Sequence, residues 1–329
     1  MPDHDQPFYQ LTPDTVIDAV ESLGHLSDGR ILALNSYENR VYQVGLDERE
    51  PLIAKFYRPG RWSDAQIHEE HRFCFELAEQ ELPVVAPMLN DSGESLFHFK
   101  DYRFALYPRR GGRAPELGDP DHLYQLGQTL GRIHLVGGMH PFETRPALDI
   151  QSYGRDSVEL IAADFIPSSL REAYVSLTAD LLAGIEACYQ AAGDVRSIRV
   201  HGDCHGGNIL WRDDMPNFVD FDDARMAPAI QDLWMLLTGD DRQQQQLQLS
   251  EVIEGYNEFG DFDPRELHLV EALRTLRMMH YSAWLARRWQ DPAFPRNFPW
   301  FNTERYWGEH ILQLREQLSA LQQPPLQLL

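Results

Sequence analysis

Two short clusters constrain this sequence more than anything else in it: His201-Gly-Asp-Cys-His-Gly-Gly-Asn208, and close behind it Phe218-Val-Asp-Phe-Asp222. Asp203 and Asn208 stand five positions apart. Asp220 follows Asn208 by twelve, directly after a run of strand character at Asn217 to Val219. The spacing H-x-D-x-x-x-x-N, then a strand-borne D-F, is that of a phosphoryl-transfer loop. The residue types suit the chemistry. A carboxylate such as Asp203 holds an attacking hydroxyl in line and accepts its proton, and a metal ion neutralises the phosphate oxygens. Mg²⁺ takes hard oxygen donors, which the Asn208 amide and the Asp220 carboxylate supply. Zinc on His201, Asp203, Cys204 and His205 is disfavoured, because consecutive loop positions diverge and no second cluster completes a tetrahedron. A nucleophilic Cys204 beside a histidine is weighed against a small buried thiol, and the buried thiol is preferred. A purely structural turn leaves the joint fit of D-x4-N and D-F unexplained.

The partner half of such a machine is legible upstream. Lys55 ends the apolar strand segment Leu52-Ile-Ala-Lys55 and is one of only two lysines, with Lys100. A buried ammonium needs a partner. The following helix offers Glu69 and Glu70, and Glu70 is preferred because Phe73 and Leu77, at i+3 and i+7, mark the sheet-facing side. The reading that competes is a snorkelling strand lysine. Before Lys55 lies the loop Asn35-Ser-Tyr-Glu-Asn39, which is not glycine-rich. Ser36 and Asn39 are its candidate phosphate donors, against an ordinary polar hairpin turn.

The remaining pattern is α+β. Thr12 and Pro13 open a helix that Gly24 can end. Strand character follows at 30–34, 40–46 and 51–57, and a capping box, Ser63-Asp-Ala-Gln66, opens a helix to about Gln80. Two more strands are expected near 95–99 and 102–107. After Pro108-Arg-Arg-Gly-Gly-Arg113 helices dominate, near 120–137, 168–191, 229–238, 243–259, 264–289 and 302–322, with a β-rich island at 198–222. The Pro- and aromatic-rich segment 290–301 reads as an ordered loop. At roughly 150 residues per domain, the 329 residues make about two units. We divide them as 1–107, a small antiparallel sheet with helices, and 108–329, mostly helical.

Composition narrows the partners. The formal charge is −22, which argues against nucleic acid and against an anionic membrane surface. Three scattered cysteines form no disulfide framework. No basic-apolar leader opens the chain, and no run of about 18 apolar residues occurs. A cytoplasmic monomer is expected.

The motifs together resemble the aminoglycoside phosphotransferase and choline kinase superfamily: HGDCHGGN, then VDFDDA, then Pro228-Ala-Ile-Gln-Asp232-Leu, with Leu126 to His134 similar to its helix after the hinge. Leu34 to Tyr42, Ala54 to Pro59, His201 to Arg212, Gln231 to Leu236 and Asp291 to Trp300 resemble, more narrowly, the bacterial stress response kinase A family. The resemblance runs from about Leu11 to the C-terminus. It implies a bilobal protein-kinase-like fold, with ATP and Mg²⁺ as cofactors. It implies Asp203 as catalytic aspartate, Asn208 and Asp220 as metal ligands, and Asp220 in the catalytic set. Lys55 becomes the nucleotide lysine and Glu70 its ion-pair partner. Ser36 and Asn39 fall in the nucleotide loop, and Phe104, Leu106 and their neighbours to Tyr107 in the hinge against which adenine packs. Asp232, counted with the nucleotide-site residues, braces the catalytic loop through backbone N–H groups. The narrower family is described as serine/threonine protein kinases of stress survival, so a protein acceptor bearing Ser or Thr, including the chain itself, is implied. Two departures stand out. Gly202 occupies the arginine position of H-R-D, and only eleven residues separate Asp220 from Asp232. A phosphorylated activation loop then has nothing obvious to grip. The short segment is shared with small-molecule kinases, so a hydroxyl-bearing amine is the second expectation. A non-catalytic nucleotide-binding scaffold is the third.

Overall fold

Thr12 starts the first helix as expected: its hydroxyl accepts from the Thr15 N–H at 3.2 Å. At Ser63 the capping box closes in both directions, Gln66 N–H to Ser63 Oγ and Ser63 N–H to Gln66 Oε1. Such caps satisfy the orphan donors of a helix start. The computed structural model describes residues 8–329. In chain order its main elements are α1 (Pro13–Glu21), β1 (Ser27–Ala33), β2 (Arg40–Leu46), β3 (Arg49–Phe56), α2 (Asp64–Glu79), β4 (Phe97–Phe99), β5 (Tyr102–Pro108), α3 (Pro120–Gly137), α4 (Asp156–Asp164) and α5 (Ser168–Ala192). They continue with β6 (Ile198–Val200), β7 (Ile209–Arg212), β8 (Met215–Phe218), β9 (Arg225–Ala227), α6 (Ile230–Leu233), α7 (Arg242–Tyr256), α8 (Val270–Arg287), α9 (Ala293–Asn297) and α10 (Glu304–Leu321).

The chain divides into two compact units. Among the described residues the first comprises 8–115, 142–145 and 205–224; the second comprises 116–141, 146–204 and 225–329. The first unit is built on an antiparallel sheet of order β1-β2-β3-β5-β4. One face, with Val44, Leu52, Ala54, Phe56, Phe104 and Leu106, buries against Val16 and Val20 of α1. Each of the valine, leucine and phenylalanine side chains contributes about 1.5–3 kcal/mol by leaving water. The other face gathers Tyr57, Ala105 and, from α2, Ile67, with Trp62 and Tyr107 against them. The β7–β8 hairpin also belongs to this unit, and Val85 N–H donates to Phe218 O at 3.0 Å.

Helices make up most of the second unit. The crossing of α3 and α7 is close because glycines face it. A Cβ on Gly127 would lie 2.0 Å from Val252 O, and one on Gly255 2.0 Å from Tyr124 O. Helix α10 packs on α5 and α8. Several details differ from the sequence reading. The expected helix over 229–238 is α6 followed by a 3₁₀ turn, Trp234–Leu236. The one over 264–289 begins with a 3₁₀ turn, Pro264–Leu269, before α8. Helix α4 and strand β9 were not anticipated; both are short and gain their place from packing. The 290–301 segment contains α9, and Phe294, Phe298 and Phe301 are buried while Trp300 is 44% exposed. No helix of the described residues is long and apolar enough to cross a membrane.

Candidate active site

In the first unit the sheet delivers Lys55 to a cluster of acids. Strand register decides which face it takes. Lys55 lies opposite Ala105, and Ile53 opposite Tyr107, so these four share a face. Lys55 is 5% exposed. Its Nζ lies 3.4 Å from Glu70 Oε1, 2.9 Å from Asp220 Oδ1 and 3.1 Å from Asp222 Oδ1. Burial works against the ammonium, but Asp220, Asp222 and Glu70 outweigh it and hold the pKa well above the usual lysine value. Burial pushes Glu70 up to about 7 despite the attraction of Lys55. Glu69, the other candidate, faces elsewhere: its carboxylate accepts from the backbone N–H groups of Glu143, Thr144 and Arg145.

Asp220 follows β8 and adopts φ 59°, a left-handed conformation that Asp tolerates better than most side chains. Beyond the Ile209–Phe218 pair of the hairpin, Val219 N–H donates to Asn208 O at 3.0 Å. That bond carries Asn208 alongside the residue preceding Asp220. The two prospective metal ligands are thereby neighbours through backbone pairing, twelve positions apart in sequence.

The loop 35–39 is tied down from within, by Arg58, and by Arg61, which no motif marks. Ser36 Oγ donates to Asn39 O at 3.3 Å. Asn39 is buried, and its Oδ1 accepts from the Arg58 N–H at 3.0 Å, so that oxygen serves the strand end. Arg61 reaches Glu38 at 3.6 Å, Asp222 at 2.5 Å and Asp223 at 2.7 Å, linking the loop to the segment after Asp220. Although burial raises it, Asp222 is drawn down to about 2 by Arg61 and Lys55. Arg145 donates to Asp222 O, Ala224 O and Gln66 O at 2.5, 2.6 and 2.9 Å, fixing that segment to α2. No run or spacing announces Arg61 or Arg145. Phe104 and Leu106 of the expected hinge turn to the α1 side, where Phe104 stacks on Phe56 at 5.2 Å. Their side chains are core, and Ala105 and Tyr107 take the face of Lys55.

In the second unit Asp232 is fully buried. Its Oδ2 accepts from His201 N–H at 2.8 Å and its Oδ1 from Gly202 N–H at 2.9 Å. His134 Nε2, from α3, lies 3.0 Å from Oδ2. Both oxygens are committed within the protein, so Asp232 holds the loop and presents no atom to a nucleotide. Gly202 has φ 85°, which explains glycine at this position. Asp203 is one-quarter exposed, and its Oδ1 meets Arg277 Nη1 of α8 at 2.7 Å. Nothing in the local sequence forecasts that arginine, 74 positions away. Cys204 is wholly buried, and burial pushes its thiol well above the usual range, the opposite of an activated nucleophile. Among the described residues no group of three or more His, Cys, Asp and Glu side chains is placed to hold a metal ion. The oxygen pair of Asn208 and Asp220 fits a cation that completes its shell with phosphate and water oxygens, as Mg²⁺ does.

Comparison with known proteins agrees with this fold. Residues 30–270 match the model of the phosphotransferase enzyme family, and the chain belongs to that family. It is 45% identical over 329 residues to a protein of Salmonella typhimurium (strain LT2) named serine/threonine protein kinase RdoA, spanning all of this chain and 99% of that one. To a protein of Escherichia coli (strain K12) named stress response kinase A it is 46% identical over 322 residues, 98% of this chain and 97% of that protein. Among solved structures, the amicoumacin kinase hAmiN in complex with AMP-PNP, Ca²⁺ and Ami superposes with a TM-score of 0.71 at 19% identity, covering 92% and 91% of the two chains. The fold is thus the protein-kinase-like α+β fold, and the chain is an enzyme of the phosphotransferase class.

Proposed function

We propose that this enzyme transfers the γ-phosphoryl group of ATP, with Mg²⁺, to Ser or Thr hydroxyls of protein, and that it acts in the cytoplasm in stress protection. The names of its full-length relatives support the acceptor and the setting. The observation that carries the chemistry is the contact of buried Lys55 with buried Glu70 and Asp222 and with the half-exposed Asp220. A buried ammonium among three carboxylates is a costly arrangement for stability alone. It is explained if Lys55 is oriented by Glu70 to receive nucleotide phosphates.

In this reading Asp203 accepts the proton of the acceptor hydroxyl. The hydroxyl oxygen bonds to the γ-phosphorus as the bond to the β–γ bridging oxygen breaks, and ADP leaves. Asn208 and Asp220 hold the metal ion, which when bound supplies neutralisation of phosphate charge. Asp232 keeps the loop bearing Asp203 in register, with no activation-loop phosphate required. Ser36 lies on the loop over the phosphates. Within the hinge run 104–107, Ala105 and Tyr107, on the face of Lys55, take the adenine-side role, and Phe104 and Leu106 back it from the core. The lobes 1–107 and 108–329 are the working division. Two of the acids near the site that would suit a cationic small-molecule acceptor are already occupied. Asp222 and Asp223 are engaged by Arg61, and Asp203 faces an arginine.

Phosphopeptide mapping after incubation with Mg-ATP, alone and in a lysate, tests the reading, with Asp203→Asn as the blank. Labelled Ser or Thr that disappears in the variant is expected. If wild type labels no protein yet phosphorylates a small amine-bearing alcohol at roughly 1 s⁻¹ or more, the protein-acceptor assignment is wrong.

A further inference from the structure

Helix α8 begins among buried residues and then presents one open stripe. Arg274, Arg277, Tyr281, Trp284 and Arg288 recur at intervals of three and four, so they lie along one side of a helix. The positions that face away from them, Ala272, Leu276, Met279 and Ala283, are buried. The stripe is accessible in part: the Arg277 side chain is 41% exposed, Arg274 24% and Tyr281 42%, while Trp284 and Arg288 are half-buried. Its upper end is anchored at the candidate proton acceptor by the 2.7 Å contact from Arg277 to Asp203. Its lower end carries an aromatic ledge. Tyr281 stacks on Trp284 at 5.7 Å, Trp284 rests on Phe294 and Phe298, and the Arg288 guanidinium covers the Trp284 ring at 5.3 Å.

The charge of this stripe runs against the charge of the chain. The formal total is −22, yet here three arginines are set along four turns; Arg274 meets Glu271 at 3.5 Å and Arg277 meets Asp203 at 2.7 Å. A surface of this sign recruits carboxylates and repels amines. Arginine beside an exposed tyrosine and a half-buried tryptophan is also the composition of protein-docking surfaces rather than of solvated helix faces. At 1.5 Å per residue, Arg277 and Arg288 are about 16 Å apart along the axis, the reach of about five residues of extended chain.

We propose that this stripe is the docking face for the acceptor, and that the acceptor is an acidic protein segment in extended conformation. Its Ser or Thr sits at Asp203, one acidic residue beside it engages Arg277, an apolar or aromatic residue lies on Tyr281 and Trp284, and a second acidic residue about five positions away engages Arg288. The proposal rests on the protein-kinase reading above. It adds the class of substrate: acid-flanked Ser or Thr, the opposite of what a cationic small-molecule site selects. It also assigns Arg277 a second task. In the absence of acceptor it covers the Asp203 carboxylate, and an acidic neighbour of the acceptor hydroxyl draws it away.

The test is a set of Ser peptides of one length and one core sequence, with Glu, Gln or Lys placed beside the serine and five positions on. Initial rates are measured with wild type, Arg288→Glu and Arg288→Lys at two salt concentrations. Wild type is expected to favour the Glu over the Lys peptide at least tenfold in kcat/KM, mainly through KM, with the preference shrinking as salt rises. Arg288→Glu should lose or invert the preference at the distal position, and Arg288→Lys should keep most of it. The Glu-to-Lys ratio is read within one protein sample, so it does not depend on how much of a variant folds. Wild type that phosphorylates all three peptides equally, or favours Lys, overturns the docking proposal while leaving the protein-kinase reading intact. Failure to label any peptide or protein, with turnover of a small amine-bearing alcohol, overturns both.

Discussion

Replacing Asp232 with asparagine keeps the shape of the side chain and removes its charge. In the native loop Asp232 accepts from two backbone N–H groups, at 2.8 and 2.9 Å, and meets His134 Nε2 at 3.0 Å, all out of contact with water. A carboxamide has one accepting oxygen. Whichever way it turns, its NH₂ group confronts the N–H of His201 or of Gly202. At least one charge-assisted hydrogen bond is lost, about 1.5–3 kcal/mol, and a buried donor is left facing a donor, about 1–3 kcal/mol more. The sum is roughly 2.5–6 kcal/mol. For a unit of this size that lowers the melting temperature by roughly 10 °C. The relaxed loop also carries Asp203, and a displacement near 1 Å at a reacting group costs about a hundredfold in rate. Differential scanning fluorimetry and steady-state phosphoryl transfer measure the two effects on one preparation. Asp203→Asn is the control, since Asp203 is partly exposed and bonded to an exposed arginine: it should lose turnover while melting near wild type. If Asp232→Asn melts within about 2 °C of wild type and retains kcat within threefold, Asp232 does not brace the loop as argued.

Asp220→Asn and Asn208→Ala should each raise the Mg²⁺ concentration needed for half-maximal activity by tenfold or more; a Mg²⁺ titration unchanged in both removes them from the metal site. Glu70 titrates near 7 because burial opposes its charge. Below that pH it takes up a proton and Lys55 loses one of its three acids, so kcat/KM for ATP should fall on the acid side of about 7. Glu70→Gln should be low throughout and lack that limb, and a pH profile with the same limb in both proteins refutes the assignment. Cys204→Ser should keep activity within about threefold and cost roughly 1 kcal/mol or less in a urea melt, since the thiol acts as a small packing group; a loss on the scale of Asp203→Asn with the fold intact points to thiol chemistry.

The legible part of this protein is what short-range chemistry dictates. Thr12 and Ser63 cap helices because a side-chain oxygen finds a backbone N–H three residues on, and that holds wherever the helix lies. Lys55 was conspicuous because an ammonium at the end of an apolar strand is unstable without a partner. Asp203, Asn208 and Asp220 were conspicuous because the geometry of phosphoryl transfer imposes their spacing. What tertiary structure alone decided is which distant groups meet. Phe104 and Leu106 became core, and Ala105 and Tyr107 took the face of Lys55, because strand pairing sets Lys55 opposite Ala105. A shift of one residue would have reversed every side chain of β5, and no local signal specifies that register. Arg61, Arg145 and Arg277 are arginines in unremarkable sequence. Each gained a role only when the chain brought a carboxylate or a carbonyl within about 3 Å of it. Ionic and hydrogen-bond partners act over a few ångströms in space and carry no mark in sequence when they lie tens of residues apart, so the motif named the candidate reacting groups and the fold chose what surrounds them.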